Sequence, residues 1–400
     1  METGSFDYDV IIAGGGPAGA SAAFFLSQAG KSVLVLERSN MPRYKACGGG
    51  VSLEFLRSQF PFDFGPVIDR TASQFEYHFN GIELPVRCRP GSAVFVQRDR
   101  FDAFLLQQCG AEVSLGEAVR NVTIHADGVE IETSRGRRVK AAWLIGADGV
   151  NSIVRKKAGF TPHRVMLHAV EAEVYPSPGI LQRFAGGPLF IFEGKGFGYT
   201  WIFPKVNHLS VGTAGIQPVP GELRERLARI MKSYGIALDG VQLHAHPLPV
   251  YTRHQPVAAG RVLLAGDAAG LGDPFSGEGI RIAIQSGRIA AECILGGGTS
   301  AYQGRIQREI GRKRLKSRVA ATGFYHLRFL CLLFGAPNPF TTDLVLDLLA
   351  GRISTLRLVF LAVVSLPAFA LIELAGLVVG LFGGEKKRQK FLGSIYPGGE

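Results

Sequence analysis

Residues 8–37 restrict most strongly what this chain can fold into. Tyr8-Asp-Val-Ile-Ile-Ala13 is a short apolar run, followed by Gly14-Gly-Gly16-Pro-Ala18-Gly19, a helix-like stretch to Gln28, and a second apolar run from Val33 that ends at Glu37. Short apolar runs bounded by glycines read as strands buried on both faces of a parallel sheet. Two of them joined through a helix form a β–α–β unit, the building block of an α/β domain. The G-x-G-x-x-G spacing between strand and helix suits a pyrophosphate. Gly14 permits the tight turn, Gly16 lets backbone approach the phosphates, and Gly19 lets helix and sheet pack closely. The helix start, with Ala18 in its first turn, offers N–H groups and the positive end of a dipole. Glu37, 18 residues after Gly19 with Arg38 beside it, is placed to accept hydrogen bonds from a ribose. A dinucleotide site is therefore expected, with the choice between a nicotinamide and a flavin still open. The strand starts almost at residue 1 and follows the acids Glu2 and Asp7, which argues against a signal peptide.

Composition removes several other classes. Cys47, Cys88, Cys109, Cys293 and Cys331 are an odd, scattered set without a C-x-x-C pair, which speaks against a disulfide scaffold, a zinc site or an iron–sulfur cluster. His244-Ala-His246 has no metal-ligand spacing, so no metal is expected. A reduced, cytosol-facing compartment follows. The net charge of +11 raises the question of nucleic acid. Its excess, however, gathers in Arg305, Arg308, Arg312, Lys313, Arg314, Lys316 and Arg318, and again in Lys386, Lys387, Arg388 and Lys390 after an apolar run. No nucleic-acid module accompanies either cluster. Basic stretches beside apolar ones suit an anionic membrane surface or an acidic protein partner, and a solvated helix face is the plain alternative.

Two further segments separate flavin from nicotinamide. Trp143-Leu-Ile-Gly-Ala-Asp148-Gly149 is a strand running into a glycine turn, and Arg261-Val-Leu-Leu-Ala-Gly266-Asp267 is another. The latter leads through Pro274-Phe-Ser-Gly277-Glu-Gly279 into a helix to Leu295. With the first glycine motif, and in this order, the segments resemble the para-hydroxybenzoate hydroxylase superfamily of FAD enzymes. Val96-Gln-Arg98-Asp-Arg-Phe101-Asp102 is similar to that group's arginine segment near the flavin. The resemblance implies that Asp267 binds the ribityl chain or ribose of FAD. It also implies that Gly277 to Gly279 set a helix start beneath the flavin, where N–H groups stabilise the negative charge of the reduced ring. For Asp148 and Asp267, turn capping after a strand is the structural alternative.

Within that superfamily, Pro42-Arg43-Tyr44-Lys45-Ala46-Cys47-Gly48-Gly49-Gly50 resembles the P-R-x-K-x-C-G-G segment of the geranylgeranyl reductases. Tyr199-Thr-Trp201-Ile-Phe203-Pro204 is similar to their Y-x-W-x-F-P strand. The resemblance covers about the first 300 residues. Alternation puts Tyr199, Trp201 and Phe203 on one side of a strand, either as core aromatics or as the wall of an apolar isoprenoid pocket. The resemblance places Cys47, Gly48 and Gly49 by the isoalloxazine. There Cys47 is either a small packed hydrophobe or a group that orients substrate or relays a proton. Arg43 and Lys45 of this loop are expected at phosphate groups or in solvent.

No second glycine fingerprint between strand and helix is present, because Gly194-Lys-Gly196-Phe-Gly198 leads into a strand. Electrons are therefore expected from transient NADPH or from an acidic carrier of the ferredoxin type. The run from Leu358 to Phe382 is long enough at 1.5 Å per residue to cross a bilayer. Glu373 and Pro367 interrupt it, which favours peripheral or shallow attachment on the cytoplasmic side, with soluble core helices as the next reading and a true span as the last. The expected architecture is α/β. A discontinuous Rossmann-like FAD-binding domain (1–70, 95–160 and 255–300) carries an inserted mixed β-sheet substrate domain (71–94 and 161–254), and 301–400 form a helical C-terminal region. The expected activity is FAD-dependent saturation of double bonds in a geranylgeranyl-type lipid, diphosphate or pigment. A flavin monooxygenase and an electron carrier to membrane quinone are the alternatives.

Overall fold

A computed structural model describes residues 6–79, 82–87, 93–162, 165–193, 197–216, 218–252, 255–296, 298–326, 344, 347, 353 and 355–395. Cys88, Cys331, Gly194 and Gly196 lie outside the described residues, as does 327–343 of the C-terminal region. The chain divides into two compact units.

The first unit comprises Met1–Ala46, Gln97–His168 and His246–Arg318. Its eight-stranded sheet runs Ala258–Ala259, Val262–Leu264, Arg138–Gly146, Tyr8–Ala13, Val33–Glu37, Glu112–Leu115, with Val129–Thr133 paired to the third strand and Val119–Ile124 paired to Val129–Thr133. Tyr8–Ala13 pairs in parallel with Arg138–Gly146 and with Val33–Glu37. Val10, Ile11, Ile12, Leu34 and Val35 are fully buried, as in a parallel sheet covered on both faces. Pro17 opens the helix Pro17–Gln28, where its missing N–H costs nothing. That helix crosses Ile280–Leu295 at a contact of small residues: a side chain at Gly287 would overlap the Ala18 carbonyl, and Ser21 Oγ donates to Ile284 O at 2.9 Å.

The second unit comprises Cys47–Val96, Ala169–Ala245 and Val319–Glu400. Compared with the motif-based boundaries, it takes in 47–70 and 95–96, and the first unit takes in 161–168, 246–254 and 301–318, while 319–400 falls with the second. Strand pairing explains the former, since Gly50–Val51 and Ile68–Thr71 both join Val94–Val96 in a three-stranded sheet. In the larger sheet, Leu209–Ile216, Thr200–Pro204, Leu189–Phe192, Gln74–Phe79 and Ile82–Arg87 lie side by side. One face buries Leu189, Ile191, Ile202 and Val211 against Leu227, Ile230 and Met231 of the amphipathic helix Glu222–Ser233. The other face is aromatic. The last helix, Thr355–Ile395, contains Pro367 and breaks at Gly384, whose φ is 74°. Among the described residues no helix is long and apolar enough to cross a membrane.

Candidate active site

The glycine turn in the first unit is built from contacts that forbid side chains at two positions and leave a third open. A Cβ at Gly14, whose φ is 101°, would overlap the Ala147 carbonyl, and one at Gly19 would overlap the Gly14 carbonyl oxygen. Among the described residues a Cβ at Gly16 would meet only Arg43 Nη2 within 4 Å, at 3.6 Å. None of them requires a glycine there, so the requirement fits a ligand approaching the backbone. Glu37 turns inward. Its carboxylate accepts from Gly15 N at 2.8 Å and Ser39 N at 3.0 Å, and Arg43 Nε lies 3.6 Å away. Arg43 also reaches Asp102 at 3.2 Å, and the buried Arg98 holds Asp102 through two hydrogen bonds of 2.8 and 2.7 Å. These four residues form one ionic network beside the turn, while Arg38 is exposed.

The two aspartates of the later motifs behave differently. Asp148 accepts from the Ser152 hydroxyl, from Ile153 N at 2.7 Å and from Val154 N at 3.1 Å, and so caps the helix Ile153–Lys157. Burial pushes its carboxyl pKa up, against those hydrogen bonds. Gly149 beside it has φ 79°. Asp267, next to Gly266 at φ 60°, has a half-buried carboxylate with no hydrogen-bond partner among the described residues. Of the two, it is the one left available to a ligand hydroxyl.

The loop after Asp267 is organised by Asp273, which motif reading passed over although it directly precedes Pro274. One carboxylate oxygen accepts from Phe275 N at 2.9 Å, Ser276 N at 2.8 Å and the Ser276 hydroxyl at 3.0 Å. The other accepts from Arg314 and from Ser317 Oγ at 2.8 Å. Burial would raise this carboxyl, but Arg314 and the hydrogen bonds outweigh it and hold its pKa below the ordinary range. Gly277, at φ 69°, and Gly279 then start the helix Ile280–Leu295 without a side-chain cap, which leaves amides for an anionic ligand edge. Near Asp267, Lys45 Nζ lies 2.9 Å from His246 Nε2. The open Gly16 position, the unpaired Asp267 and two uncapped helix starts together fit FAD.

In the second unit, Tyr199, Trp201 and Phe203 do share a side, and strand register extends the row. Trp201 pairs with Phe190, which pairs with Tyr77 on the far strand. Ring centroids of Phe75, Tyr77, Phe190, Tyr199 and Phe203 lie 5.2–6.0 Å from Phe190 or from its neighbour. Trp201 lies flat over Gly212, where a Cβ would overlap the indole. Its Nε1 donates over a long 3.5 Å to Ser210 Oγ, which donates at 3.0 Å to the buried Glu171. The alternations Phe75-x-Tyr77 and Phe190-x-Phe192 were visible in sequence, but their pairing was not. Cys47 is half-buried, and its sulfur accepts from Gly49 N at 3.4 Å. Gly48 passes close to the row, since a Cβ there would meet Phe203 at 2.5 Å. On the far strand pair, Glu76, His78 and Glu83 bring three potential metal ligands within 4.8 Å. His78 already bonds Glu76 at 2.6 Å and Tyr234 on its other nitrogen.

Comparison with known proteins agrees with this chemistry. The model of the FAD binding domain family matches residues 7–294. The geranylgeranyl diphosphate reductase of Synechocystis is 30% identical over 313 residues, 72% of this chain and 75% of that protein. The digeranylgeranylglycerophospholipid reductase 2 of Methanopyrus kandleri is 29% identical over 76% of this chain and 84% of its own length. In fold, the chain matches a geranylgeranyl bacteriochlorophyll reductase-like protein of Thermoplasma acidophilum with TM-score 0.72, 22% identity, and coverage of 92% of this chain and 99% of that one. The glycine turn with its open Gly16, the Asp267 loop and these relatives lead to one conclusion: the chain belongs to the FAD binding domain family and is an FAD-dependent oxidoreductase of the geranylgeranyl reductase type.

Proposed function

We propose that this enzyme saturates isoprenoid double bonds in a geranylgeranyl-type chain borne by a lipid, a diphosphate or a pigment. The aromatic row of Phe190, Tyr199, Trp201 and Phe203 carries the reading, because it gathers apolar, π-rich side chains on one side of the sheet. The relatives named for geranylgeranyl diphosphate and digeranylgeranylglycerophospholipid support the substrate class.

An unactivated trisubstituted alkene has no carbonyl to hold a carbanion. Its reduction therefore needs a proton delivered with tertiary carbocation character developing at the alkene. FAD, when bound and reduced, supplies the hydride. The chain's own residues do the rest. Gly16 and the helix start behind it hold phosphate, Asp267 holds a ribityl or ribose hydroxyl, and Arg98 and Arg43 stay ordered through Asp102. Tyr199 and Trp201 stabilise the cation through their ring faces without trapping it as a nucleophile would. Cys47 is the proposed proton relay of the glycine loop.

For the electron donor we propose NADPH docking transiently, or an acidic ferredoxin-type carrier steered by the exposed Arg308, Arg312 and Lys316. The last helix exposes Leu371, Leu374, Leu381 and Phe382 ahead of Lys386 and Lys387, which supports peripheral attachment to an anionic membrane surface. Anaerobic incubation of dithionite-reduced enzyme with geranylgeranyl diphosphate, and separately with digeranylgeranyl lipid, tests the function by mass spectrometry. Two-dalton increments are expected. An oxygenated product formed only in air would point to a monooxygenase instead. If a chain ended before Leu358 and the intact chain partition equally between vesicles and buffer, the attachment reading fails.

A further inference from the structure

Lys205 follows the strand Thr200–Pro204 and continues its alternation, so it forms the polar end of the row Tyr199, Trp201, Phe203. It is only 2% exposed. Its backbone is fixed from several directions: its N–H donates to His208 O at 2.9 Å, its carbonyl accepts from Arg70 Nε at 3.2 Å, and the next amide, Val206 N, donates to Asp69 at 2.8 Å. The ammonium donates to Gly48 O at 2.8 Å and to Val96 O at 2.9 Å, and lies 5.4 Å from the centre of the Phe95 ring. Among the described residues no carboxylate forms an ion pair with it.

A buried cation without a partner anion is costly, and a core position of this size would accept methionine. The two carbonyls explain the lysine. Gly49, at φ 71°, brings the Gly48 and Val96 oxygens towards one point, and a Cβ at Gly49 would overlap Val96 O and come within 2.9 Å of Lys205 Nζ. Val96 N returns a hydrogen bond to Gly49 O at 2.9 Å, and Gly49 N donates to Cys47 Sγ. Without the ammonium, two buried acceptors would face each other unsatisfied.

We propose that Lys205 is a positioning residue for the Cys47–Gly50 turn, holding its backbone against Trp201 and Phe203 and placing a positive charge beside the Cys47 thiol. The role in reduction rests on the prenyl-reducing reading given above, whereas the charge placement does not. Burial pushes the lysine pKa down to about 8, with charge at Cys47, Asp69, Glu171 and Glu173 pulling the other way. The charge is therefore removable at moderate pH.

The test compares alkylation of Cys47 in the FAD-loaded enzyme by anionic iodoacetate and by neutral iodoacetamide, read on the Cys47 peptide by mass spectrometry. Loosened packing or altered ionisation of the thiol changes both rates alike, whereas loss of a neighbouring positive charge also changes their ratio. Lys205→Met is expected to lower the iodoacetate/iodoacetamide ratio about fivefold, and Lys205→Arg to retain it. In the parent the ratio falls as pH rises through about 8, while in Lys205→Arg it stays level to pH 9.5. An unchanged ratio in folded Lys205→Met overturns the proposal. So does a Lys205→Arg ratio that falls with pH as the parent's does, and that arm stands even where the Met variant does not fold. Neither measurement uses a prenyl substrate, so failure of the parent to reduce one would overturn the functional reading separately.

Discussion

Lys45 Nζ lies 2.9 Å from His246 Nε2, and because an ammonium can only donate, the imidazole must accept there and stay neutral. Burial first, and Lys45 second, push the His246 pKa down to about 4, against the opposing pull of Asp267. Between pH 4 and the unfolded value near 6.5, the unfolded chain binds a proton that the folded chain does not. Stability therefore falls as pH drops from 6.5 towards 4, by at most about 3 kcal/mol from this group. Thermal melts from pH 4.5 to 7 should show a shallower acid slope in His246→Gln than in the parent. Parallel slopes would refute the assignment.

Gly16 and Gly19 should fail in different ways. Gly16→Val finds room in the protein but fills the space where backbone meets phosphate, so the variant is expected to fold and purify colourless. Gly19→Val drives its side chain into the Gly14 carbonyl and should not fold. Flavin absorbance and circular dichroism on the two proteins distinguish these outcomes. Stoichiometric yellow flavin in Gly16→Val would exclude the turn as the pyrophosphate site.

Asp273→Asn tests the anchor of the flavin-side loop. The change leaves Arg314, 5% exposed, buried without its anion, and Arg314 Nε already lacks a partner among the described residues. Breaking a buried pair from one side costs about 3–5 kcal/mol, so a large drop in the urea midpoint is expected, with loss of flavin. A midpoint within experimental error of the parent's would show that the pair contributes little.

Trp201→Leu separates chemistry from packing. It keeps apolar bulk over Gly212 but removes the ring quadrupole, worth about 2 kcal/mol at a desolvated site, or roughly 30-fold in rate. Flavin content and flavin reduction should be nearly unchanged, with the loss confined to re-oxidation by prenyl substrate. Equal re-oxidation rates in variant and parent at matched flavin content would rule out a catalytic ring.

The first glycine turn was legible in the sequence because its constraints are local. Gly14, Pro17 and Gly19 act within one strand–helix turn, and the boundaries at Ala13, Gln28 and Glu37 follow from short-range periodicity. The alternation of Tyr199, Trp201 and Phe203 was legible for the same reason. What those side chains face depends on partners far along the chain. Phe190 joins the row through a parallel pairing with Tyr77, more than a hundred residues away, and a slip of one residue would have sent it to the opposite face. Glu37 was legible as a carboxylate suited to a ribose, but not that Gly15 N, Ser39 N and Arg43 would fix its orientation, nor that Asp148 would accept from Ile153 N at a helix start. A carboxylate's chemical type is written in the chain; whether its lone pairs remain available is settled only when folding brings donors to it. Lys205 makes the same point in reverse. As a sequence residue it was one basic group among 44, and only the convergence of the Gly48 and Val96 carbonyls in three dimensions accounts for a lysine in the core.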